Sequence, residues 1–545
     1  MLNTNNLILS LVIIPLLGAS VCSLGKILSN QFISKASVII TLLLSFTTVV
    51  LSYRTFTTVR EVTFIAGGWQ PVAGILMGFD MLSWTASLLV LIICTCGIIF
   101  AMIEDTYSPM FYFTFLIMLA GMQGVLITRD FFNLFVFFEI LAICSYILIA
   151  YFQKSHSVLA SFKYLIIGSA AMVFYLIGVF IIYQNTGSVA FSAINDLNPQ
   201  QMSPTLAVAI IALVIGIGVR TAFIPFHTWL PEAHAYAPHP VSAILSGVMI
   251  KVAFIALWRV LDLSLSPVLL TVFLFTGTVT ALLGACYALS EIDAKKILAF
   301  SSVSQMGYLI AALGIGSTVS RTAALYHAFN HGIFKCLLFL SVGTMILLTG
   351  ERNIKKLRGI AKSFPLLSIF YLTAALSIAG IPPFSGFVSK KTILNEASGY
   401  SMHTLLWIAS FVTFAAYFKL SLILTGKKTK SVETSAVKPI RFFYLPIGFL
   451  SLLTLIMGLL PQFWLNFFSF AQVSSTTIEP YPVYTTGAIL GILPVIVAGI
   501  TIFLLSKTNT GNLITNRIRR IVPSLSRATG YLLAAFVLAT ILLWR

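Results

Sequence analysis

Three ionisable residues are predicted to share one helical face inside an apolar segment of the chain. His327, His331 and Lys335 follow one another at intervals of four residues in LYHAFNHGIFKCLLF. Residues with this spacing form one stripe on a helix. Because histidine titrates near physiological pH, the stripe predicts a path that passes protons. Two alternatives stay open: ligation of haem, which usually needs partners on a facing helix, and a purely structural hydrogen-bonding stripe.

Four further charged residues lie within apolar segments. Glu139 falls in the middle of FFNLFVFFEILAICSY, and Arg220, Lys251 and Lys390 lie in other apolar runs. A charge in hydrocarbon costs at least ~2.5–3.5 kcal/mol, so a functional role is the default interpretation. A buried lysine can bind and release a proton, which makes Lys251 and Lys390 candidates for that step. For Glu139 the alternatives are a carboxyl kept neutral by burial and an ion pair with Arg220 or Lys251.

Weaker candidates lie close by. Lys391 is adjacent to Lys390, so one of the two can extend to the membrane interface. Lys419 lies inside another apolar segment. Three histidines are predicted to be loop residues, with no support for a metal site: His227, His234 and His239.

Two prolines are expected to break the helices that carry these charges. Pro225 lies five residues after Arg220, and Pro382–Pro383 precedes Lys390 in LSIAGIPPFSGFVSKK. Proline removes a backbone donor and clashes with the preceding turn. Either proline alone can also be a simple packing kink. Two matched breaks near cations favour the broken helices of ion carriers, and their offset of five spans predicts an inverted repeat.

The elements that must position these residues are membrane helices. Of the 545 residues, 59% are hydrophobic and 9% are charged, whereas a soluble domain has about 25% charged residues. About sixteen apolar runs are long enough to span a bilayer, with the seventh near 206–228 and the twelfth near 365–390. The first run, Leu7 to Leu24, lacks a basic flank, so we expect a membrane span there and no cleaved signal peptide. The sequence therefore predicts an all-α, polytopic membrane protein of about 14–16 transmembrane helices.

Charge in the loops predicts the orientation of the chain. Most loops after odd-numbered spans carry cations, whereas the loop 185–205 holds only Asp196. The positive-inside rule then places the odd-numbered loops in the cytoplasm and both termini outside. The net charge of +18 is loop charge and does not indicate binding to nucleic acid. The cations in question are Lys154, Lys163, Lys295, Lys296, Arg352, Lys355, Lys356, Arg358, Lys362, Lys427, Lys428, Lys430, Lys438, Arg441, Lys507, Arg517, Arg519, Arg520 and Arg527.

Several functional classes lack their sequence signals. The six cysteines all lie in apolar runs and none forms a CxxC pair, which argues against a disulfide framework or an iron–sulfur cluster. No P-loop or Rossmann glycine pattern is present. We therefore expect no nucleotide, redox cofactor or metal in the chain itself.

The chain resembles the antiporter-like membrane subunits of respiratory complex I, Mrp cation/proton antiporters and group 4 membrane hydrogenases. The resemblance covers roughly residues 110–395, and SGVMIK with HAFNHGIFK is nearest the hydrogenase and Mrp branch. The four matching segments are FFNLFVFFEI, PFHTWLPEAHAYAPHPVSAILSGVMIK, HAFNHGIFKCLLFL and GIPPFSGFVSK.

The resemblance implies a fourteen-helix core with two inverted five-helix repeats and a central hydrophilic axis. It divides the chain into N-terminal helices (1–108), a first repeat (109–261), a second repeat (267–426) and C-terminal helices (427–545). By position, Glu139 becomes the carboxylate of the fifth helix, Lys251 the lysine of the eighth and Lys390 that of the twelfth. His327, His331 and Lys335 become the central relay.

One position departs from the family. The lysine expected on the seventh helix falls on Arg220, and arginine is effectively never deprotonated in proteins. We therefore expect Arg220 to pair with Glu139 as a fixed positive charge.

The resulting expectation is a proton-translocating subunit, with or without sodium exchange, of a larger complex in the inner cell membrane. Such a subunit pumps ions without itself carrying out redox chemistry, although the complex as a whole is an oxidoreductase in several relatives. Its partners would be other membrane subunits, protons or sodium ions and the bilayer. Two alternatives stay open: a membrane subunit of an inorganic-carbon uptake system, and a redox subunit that binds haem or quinone.

Overall fold

The computed structural model describes residues 4–57, 59–68, 74–195, 203–263, 266–427, 440–471, 483–521 and 525–544. Fourteen of the described helices are long and apolar enough to cross a membrane. The predicted twelfth and sixteenth spans contain shorter apolar helices, Pro365–Ala379 and Arg527–Leu538. The prediction of an all-α, polytopic membrane protein is therefore confirmed.

The first eight predicted spans correspond to ten α-helices and one π-helical turn, and one further short helix lies between the sixth and seventh spans. Spans one to six are α1 (Thr4–Ile27), α2 (Gln31–Ser52), α3 (Met81–Glu104), α4 (Pro109–Ile127), α5 (Phe131–Ile149) and α6 (Ser155–Thr186), and a short α7 (Ser192–Asn195) follows. Span seven is α8 (Pro204–Thr221) with α9 (Leu230–Tyr236), and span eight is α10 (His239–Ile244), the π-turn Leu245–Met249 and α11 (Ile250–Asp262).

The remaining spans follow the same order. Spans nine to eleven are α12 (Pro267–Ser290), α13 (Ala294–Ile315) and α14 (Thr318–Thr349); after the short α15 (Ile360–Ser363), span twelve is α16 (Pro365–Ala379) with α17 (Ser385–Glu396). The last four are α18 (His403–Ser421), α19 (Tyr444–Leu459) with α20 (Pro461–Ala471), α21 (Thr486–Leu490) with α22 (Ile492–Ser506), and α23 (Asn509–Arg520) leading to α24 (Leu525–Trp544).

One antiparallel hairpin lies between α2 and α3. Its strands are β1 (Glu61–Ala66) and β2 (Ile75–Asp80), and Glu61 pairs with Asp80 at its base. Asp80 also caps α3 by accepting a hydrogen bond from the Ser83 N–H at 2.7 Å. The hairpin therefore presents two carboxylates at the entrance to α3.

Both predicted helix breaks are present. α8 ends at Thr221 with Ala222 in the left-handed conformation, and α16 ends at Ala379 with Gly380 in that conformation. Pro225 and Pro382 lie in the turns that follow, so each interrupts its span as predicted. The opposite direction of the two broken spans and the boundaries of the repeats stay predictions.

The polar groups freed by the two breaks find partners inside the protein. The Trp229 indole N–H donates to the Val219 carbonyl at 2.8 Å, at the end of α8. The Ile224 N–H donates to the Thr280 hydroxyl at 3.0 Å, and the Gly386 N–H donates to the Ser377 hydroxyl at 3.0 Å. Satisfied backbone groups are what make a broken helix tolerable at membrane depth.

The long helix α14 occupies the centre of the bundle. It packs against α13, α16 and α17, and also against α10 and the π-turn of the eighth span. His327, His331 and Lys335 are all buried on it. The helix that carries the predicted relay therefore contacts elements of both predicted repeats.

Candidate functional site

Glu139 and Arg220 form the predicted ion pair between α5 and α8. Arg220 Nη2 donates to Glu139 Oε1 at 3.0 Å, and Nη1 donates to the Tyr164 hydroxyl at 3.3 Å. The Arg220 side chain is 3% exposed, whereas that of Glu139 is 31% exposed. The pair thus joins a buried, permanent cation to a carboxylate at the edge of the bundle.

The break in the seventh span supports this pair. Trp229, in the turn before α9, stacks on the Tyr164 ring with centroids 3.7 Å apart. Since the Trp229 indole also binds the end of α8, it holds Tyr164 against the helix that carries Arg220. The broken helix therefore fixes the direction of the guanidinium.

Lys251 lies directly after the π-turn of the eighth span. Its Nζ donates to the Ser246 carbonyl at 2.5 Å, inside that turn. The Ser246 hydroxyl shares a hydrogen bond of 2.7 Å with Ser302 of α13. Single π-turns inside α-helices are frequent at functional sites because they release backbone groups from the regular ladder.

Lys335 is bound by groups from α13 and α18. Its Nζ donates to the Leu298 carbonyl at 2.7 Å, to the Ser301 hydroxyl at 2.5 Å and to the Tyr417 hydroxyl at 3.2 Å. Ser302 also donates to the Leu298 carbonyl, at 3.0 Å. Hydrogen-bonded groups therefore connect Lys251 to Lys335 through Ser246, Ser302 and Leu298.

The two histidines of α14 have different surroundings. His327 Nδ1 lies 2.9 Å from the Ser389 hydroxyl, and its Nε2 lies 3.1 Å from Gln305 Oε1. The His331 ring stacks on His327 at 6.0 Å, and neither of its nitrogens has a hydrogen-bond partner among the described residues. His331 lies within electrostatic range of both Lys251 and Lys335. It therefore lies near both lysines, and within the described part of the chain its ring nitrogens keep their capacity to donate and accept hydrogen bonds.

Lys390 is the last of the buried ionisable residues predicted from the sequence. It lies on α17 directly after Ser389, is buried, and has its Nζ 4.9 Å from the centre of the Tyr308 ring. Its Nζ makes no hydrogen bond to any described residue. A cavity of about 200 Å³, lined by Lys390, Lys391 and Trp407 among others, lies beside it. The structure thus brings six of the seven predicted residues, all except Glu139, into buried positions.

The prediction that His234 and His239 are loop residues is wrong. His234 lies in α9 and His239 opens α10, whereas His227 does lie in the loop. The helices restart because Pro231 and Pro240 occupy their first turns, where proline's missing N–H costs nothing. His234 is fully buried, has neither ring nitrogen paired among the described residues, and lies within electrostatic range of Lys251 and Lys335.

The sequence analysis also missed the partners of the lysines and histidines. Four residues of α13 supply most of them, and they recur at intervals of three or four positions on one face of the helix. They are Leu298, Ser301, Gln305 and Tyr308. The polar spacing in KILAFSSVSQMGYL was the available signal. Among the described residues no group of three or more histidine, cysteine or acidic side chains could hold a metal ion.

A second charged cluster lies at the base of the hairpin, beside the end of the eighth span. Arg259 Nη2 approaches Asp80 Oδ1 to 2.9 Å and Arg129 Nη2 approaches Oδ2 to 3.1 Å, while Arg129 Nε donates to Glu61 at 2.8 Å. Burial alone would raise the pKa of Asp80, but the charges of Arg259 and Arg129 and two bonds from Ser83 outweigh it and lower that pKa well below its usual value. The cluster borders a cleft of about 500 Å³.

We expect Asp80→Asn to lower the free energy of unfolding by about 2–4 kcal/mol at pH 7, because the nearly buried Arg259 loses its anion and Arg129 keeps only the more exposed Glu61. The folded-state pKa of Asp80 lies below the unfolded value of about 3.9, so its contribution is complete above that pH and is lost as the pH falls further. Thermal melting of the two purified proteins should therefore differ equally from pH 8 to about pH 4 and converge in stronger acid.

Asp262→Asn is the matched control for this change. Asp262 borders the same cleft and pairs with Arg321, but its side chain is 40% exposed. Its loss should cost at most about 1 kcal/mol. Equal destabilisation by the two substitutions would contradict a special role for Asp80.

Comparison with known proteins places this arrangement in context. The family model described as NADH:quinone oxidoreductase/Mrp antiporter, transmembrane, matches residues 128–416. A subunit of the NADH-quinone oxidoreductase of Desulforudis audaxviator is 35% identical over 66% of this chain and 74% of its own length. A subunit of the Na(+)/H(+) antiporter of Alkalihalophilus pseudofirmus is 30% identical over 83% of this chain and 94% of its own.

Solved structures show the same fold. A chain of the Mrp complex from Dietzia sp. superposes with a TM-score of 0.79 at 26% identity, over 86% of this chain and 97% of that one. A chain of the membrane-bound sulfane sulfur reductase, an archaeal respiratory membrane complex, gives 0.79 at 26% identity, over 85% and 96%. These matches and the family model confirm the resemblance seen in the sequence, and the chain belongs to the NADH:quinone oxidoreductase/Mrp antiporter transmembrane family.

Proposed function

We propose that this protein moves protons across the membrane, alone or in exchange for sodium, as one subunit of a multi-subunit complex. The observation that carries the proposal is the row of buried ionisable groups from Arg220 through Lys251, Lys335 and the α14 histidines to Lys390. Ionisable residues inside a membrane are costly, and such rows mark proton relays. The subunits named in the matched relatives and structures belong to the same functional class.

Two hydroxyl groups and two backbone carbonyls lie between the central lysines. The Ser302 hydroxyl donates to the Leu298 carbonyl and accepts from the Ser246 hydroxyl, while Lys251 and Lys335 donate to the Ser246 and Leu298 carbonyls. Because a carbonyl has no proton to pass on, this chain links the surroundings of the two lysines and does not itself carry a proton. A charge on Lys251 disfavours a second charge on Lys335, because like charges oppose one another at low dielectric. We therefore propose that the two lysines are protonated alternately, with His331 and His327 carrying the proton on towards Lys390.

Arg220 has a different role in this scheme. It stays charged and pairs with Glu139, so proton exchange in the first half of the row falls to Lys251. Arg220 is then an electrostatic anchor for the row, not a site that loads and unloads protons.

We further propose that the chain lies in the inner cell membrane with its cation-rich loops in the cytoplasm and both termini outside. This orientation follows from the charges of the loops. Cysteine labelling from either side of intact cells, at Asn5 and at Lys356, tests it. Labelling of both positions from the same side would contradict the orientation, since they belong to opposite faces in this topology.

A partner subunit should cover the face of α5 that carries Glu139. Phe132, Val136, Ile143 and Ile147 on this face are 37–55% exposed, and a carboxylate facing lipid costs roughly 2.5–3.5 kcal/mol. We expect Val136→Cys to form a cross-link to a neighbouring membrane subunit when the complex is isolated from cells. Val173→Cys on α6 is the control and should form no such cross-link. If Val136→Cys, like the control, formed no cross-link to another protein, a partner at α5 would be contradicted.

Transport by the assembled complex tests the function directly. Everted membrane vesicles with the whole complex should change their internal pH when the partner reaction runs or when sodium is added, as reported by a pH-sensitive dye. Vesicles prepared without this chain provide the baseline. Equal proton movement in both preparations would overturn the proposal.

A further inference from the structure

Five cations line one cavity of about 230 Å³ at the face where the odd-numbered spans end. They come from the loop after α14, from α18 and from the segment that begins after α22. The five are Lys355, Arg358, Lys419, Lys507 and Arg519. No acidic residue lines the cavity in the described part of the chain.

Backbone carbonyls, not carboxylates, hold three of these cations in place. Lys419 Nζ donates to the Leu289 and Glu291 carbonyls at 2.7 and 2.6 Å, at the end of α12. Arg519 donates to the Ser290 carbonyl at 3.0 and 2.5 Å, and Arg358 Nη1 to the Leu422 carbonyl at 2.7 Å. Their positive charge is therefore not neutralised by these bonds.

The described residues contain no ion pair that involves any of the five. The nearby acid Glu291 uses a carboxylate oxygen to accept the Ile292 N–H at 3.3 Å and lines a separate cavity with His227 and Lys296. Glu291 interacts electrostatically with Lys419 but forms no ion pair with it, so within the described part of the protein the five cations outnumber the acids beside them.

The cavity lies at the ends of α12, α18 and α22, which belong to apolar helices long enough to cross a membrane. Its apolar lining includes Leu289 from the end of α12 and Phe503 from the last turn of α22. The adjoining helix α23 places Leu513 and Ile514, 64% and 52% exposed, beside three arginines. A short helix with exposed apolar residues and a basic face is typical of the membrane interface.

We propose that this cavity binds the phosphate group of an anionic phospholipid. Arginine and lysine bind phosphate oxygens through charge-assisted hydrogen bonds, and basic pockets between membrane helices on the cytoplasmic side recognise lipid headgroups. Leu504 and Leu505 on α22 are 57% and 58% exposed below the cavity, so they provide an apolar surface for the acyl chains. An amphiphile satisfies both surfaces, whereas a free phosphate ion satisfies only one.

The lipid would also hold α23 in position. This helix packs against α12 and α22, and α24 beyond it packs against α8 and α6. The bound phosphate would connect cations on α23 to those on α18 and the loop after α14. The site therefore ties the segment between the last two spans to the second predicted repeat.

Native mass spectrometry of the full-length protein, titrated with phosphatidylglycerol or phosphatidylcholine, tests the proposal. The test variant is Lys355→Gln/Lys507→Gln, because both side chains line the cavity and are exposed, so their loss leaves the bonds to carbonyls intact. The matched control is Arg517→Gln/Arg520→Gln, which removes the same charge from exposed positions of α23 outside the cavity lining. Thermal melting verifies that both variants fold.

Each cation at an anionic headgroup contributes a factor of about five to affinity, so the test variant should bind phosphatidylglycerol roughly 25-fold more weakly. The control should stay within about twofold of the unmodified protein, and phosphatidylcholine should bind weakly to all three. Equal weakening by both variants, or equal binding of the two lipids, would overturn the site. Displacement of phosphatidylglycerol by inorganic phosphate at the lipid's own concentration would overturn the lipid assignment and indicate a site for free phosphate.

Discussion

Lys335→Ala should reduce coupled ion movement by about 100-fold or more while the protein remains in the membrane. A positioned group that takes up and releases a proton contributes typically 10²–10⁴ in rate. Lys335 is fully buried and its Nζ reaches groups on both α13 and α18, so no neighbouring lysine can replace it without repacking. The measurement is proton movement in vesicles that contain the assembled complex, normalised to the amount of the protein.

Two further variants separate proton transfer from structure. Lys335→Arg keeps the positive charge but cannot release it, so it should be as inactive as the alanine variant. Lys163→Ala removes a half-buried lysine outside the proposed relay, which makes two bonds to Glu232 at 3.0 and 2.8 Å, and this variant should transport normally. Normal transport by Lys335→Arg would show that only the charge matters and would contradict a relay through this residue.

Arg220→Ala should impair both stability and transport, because it leaves Glu139 without its cation. Breaking a fully buried ion pair costs about 3–5 kcal/mol; since 31% of the Glu139 side chain is exposed, we expect roughly 1–3 kcal/mol here. Transport should fall about tenfold, because a loss of about 1.36 kcal/mol of charge interaction, at the lower end of this range, corresponds to that factor. Thermal melting and vesicle transport across a range of pH measure the two effects.

The controls for Arg220 form a double-mutant cycle. Arg220→Lys should keep most of the stability and shift the pH dependence of transport, because lysine can lose its proton where arginine cannot. Arg220→Ala/Glu139→Gln should be more stable than Arg220→Ala alone, since no charge is then left without a partner. If the double variant were no more stable than the single one, the ion pair with Glu139 would not explain how Arg220 stabilises the protein.

The placement of Arg220 distinguishes the two halves of the row. Arg220 carries a charge that cannot leave, next to a carboxylate at the bundle edge. In the proposed relay Lys335 and Lys390 take up and release protons, and Lys390 lies beside a cavity. The effects expected for Arg220→Ala and Lys335→Ala therefore have different origins. The first variant loses a permanent positive charge, whereas the second loses a side chain that is proposed to transfer a proton.

Much of this arrangement follows from the amino-acid sequence alone. The cost of charge in hydrocarbon requires that Glu139 and Arg220 find a partner, and the pairing predicted between them is present at 3.0 Å. The missing N–H of Pro225 and Pro382 likewise requires interrupted spans, and both are interrupted. Apolar length determined the spans themselves, since backbone groups in a bilayer must be satisfied within a helix.

Tertiary structure alone decided which atoms the buried side chains contact. The π-turn at Leu245–Met249 presents the Ser246 carbonyl to Lys251, and a stripe of α13 supplies the partners of Lys335 and His327. Hydrogen bonds depend on tenths of an ångström between helices, which periodicity along one chain does not specify. For the same reason His234 was misplaced: a loop and a short helix after proline have the same local composition, and only packing against neighbouring helices selects between them.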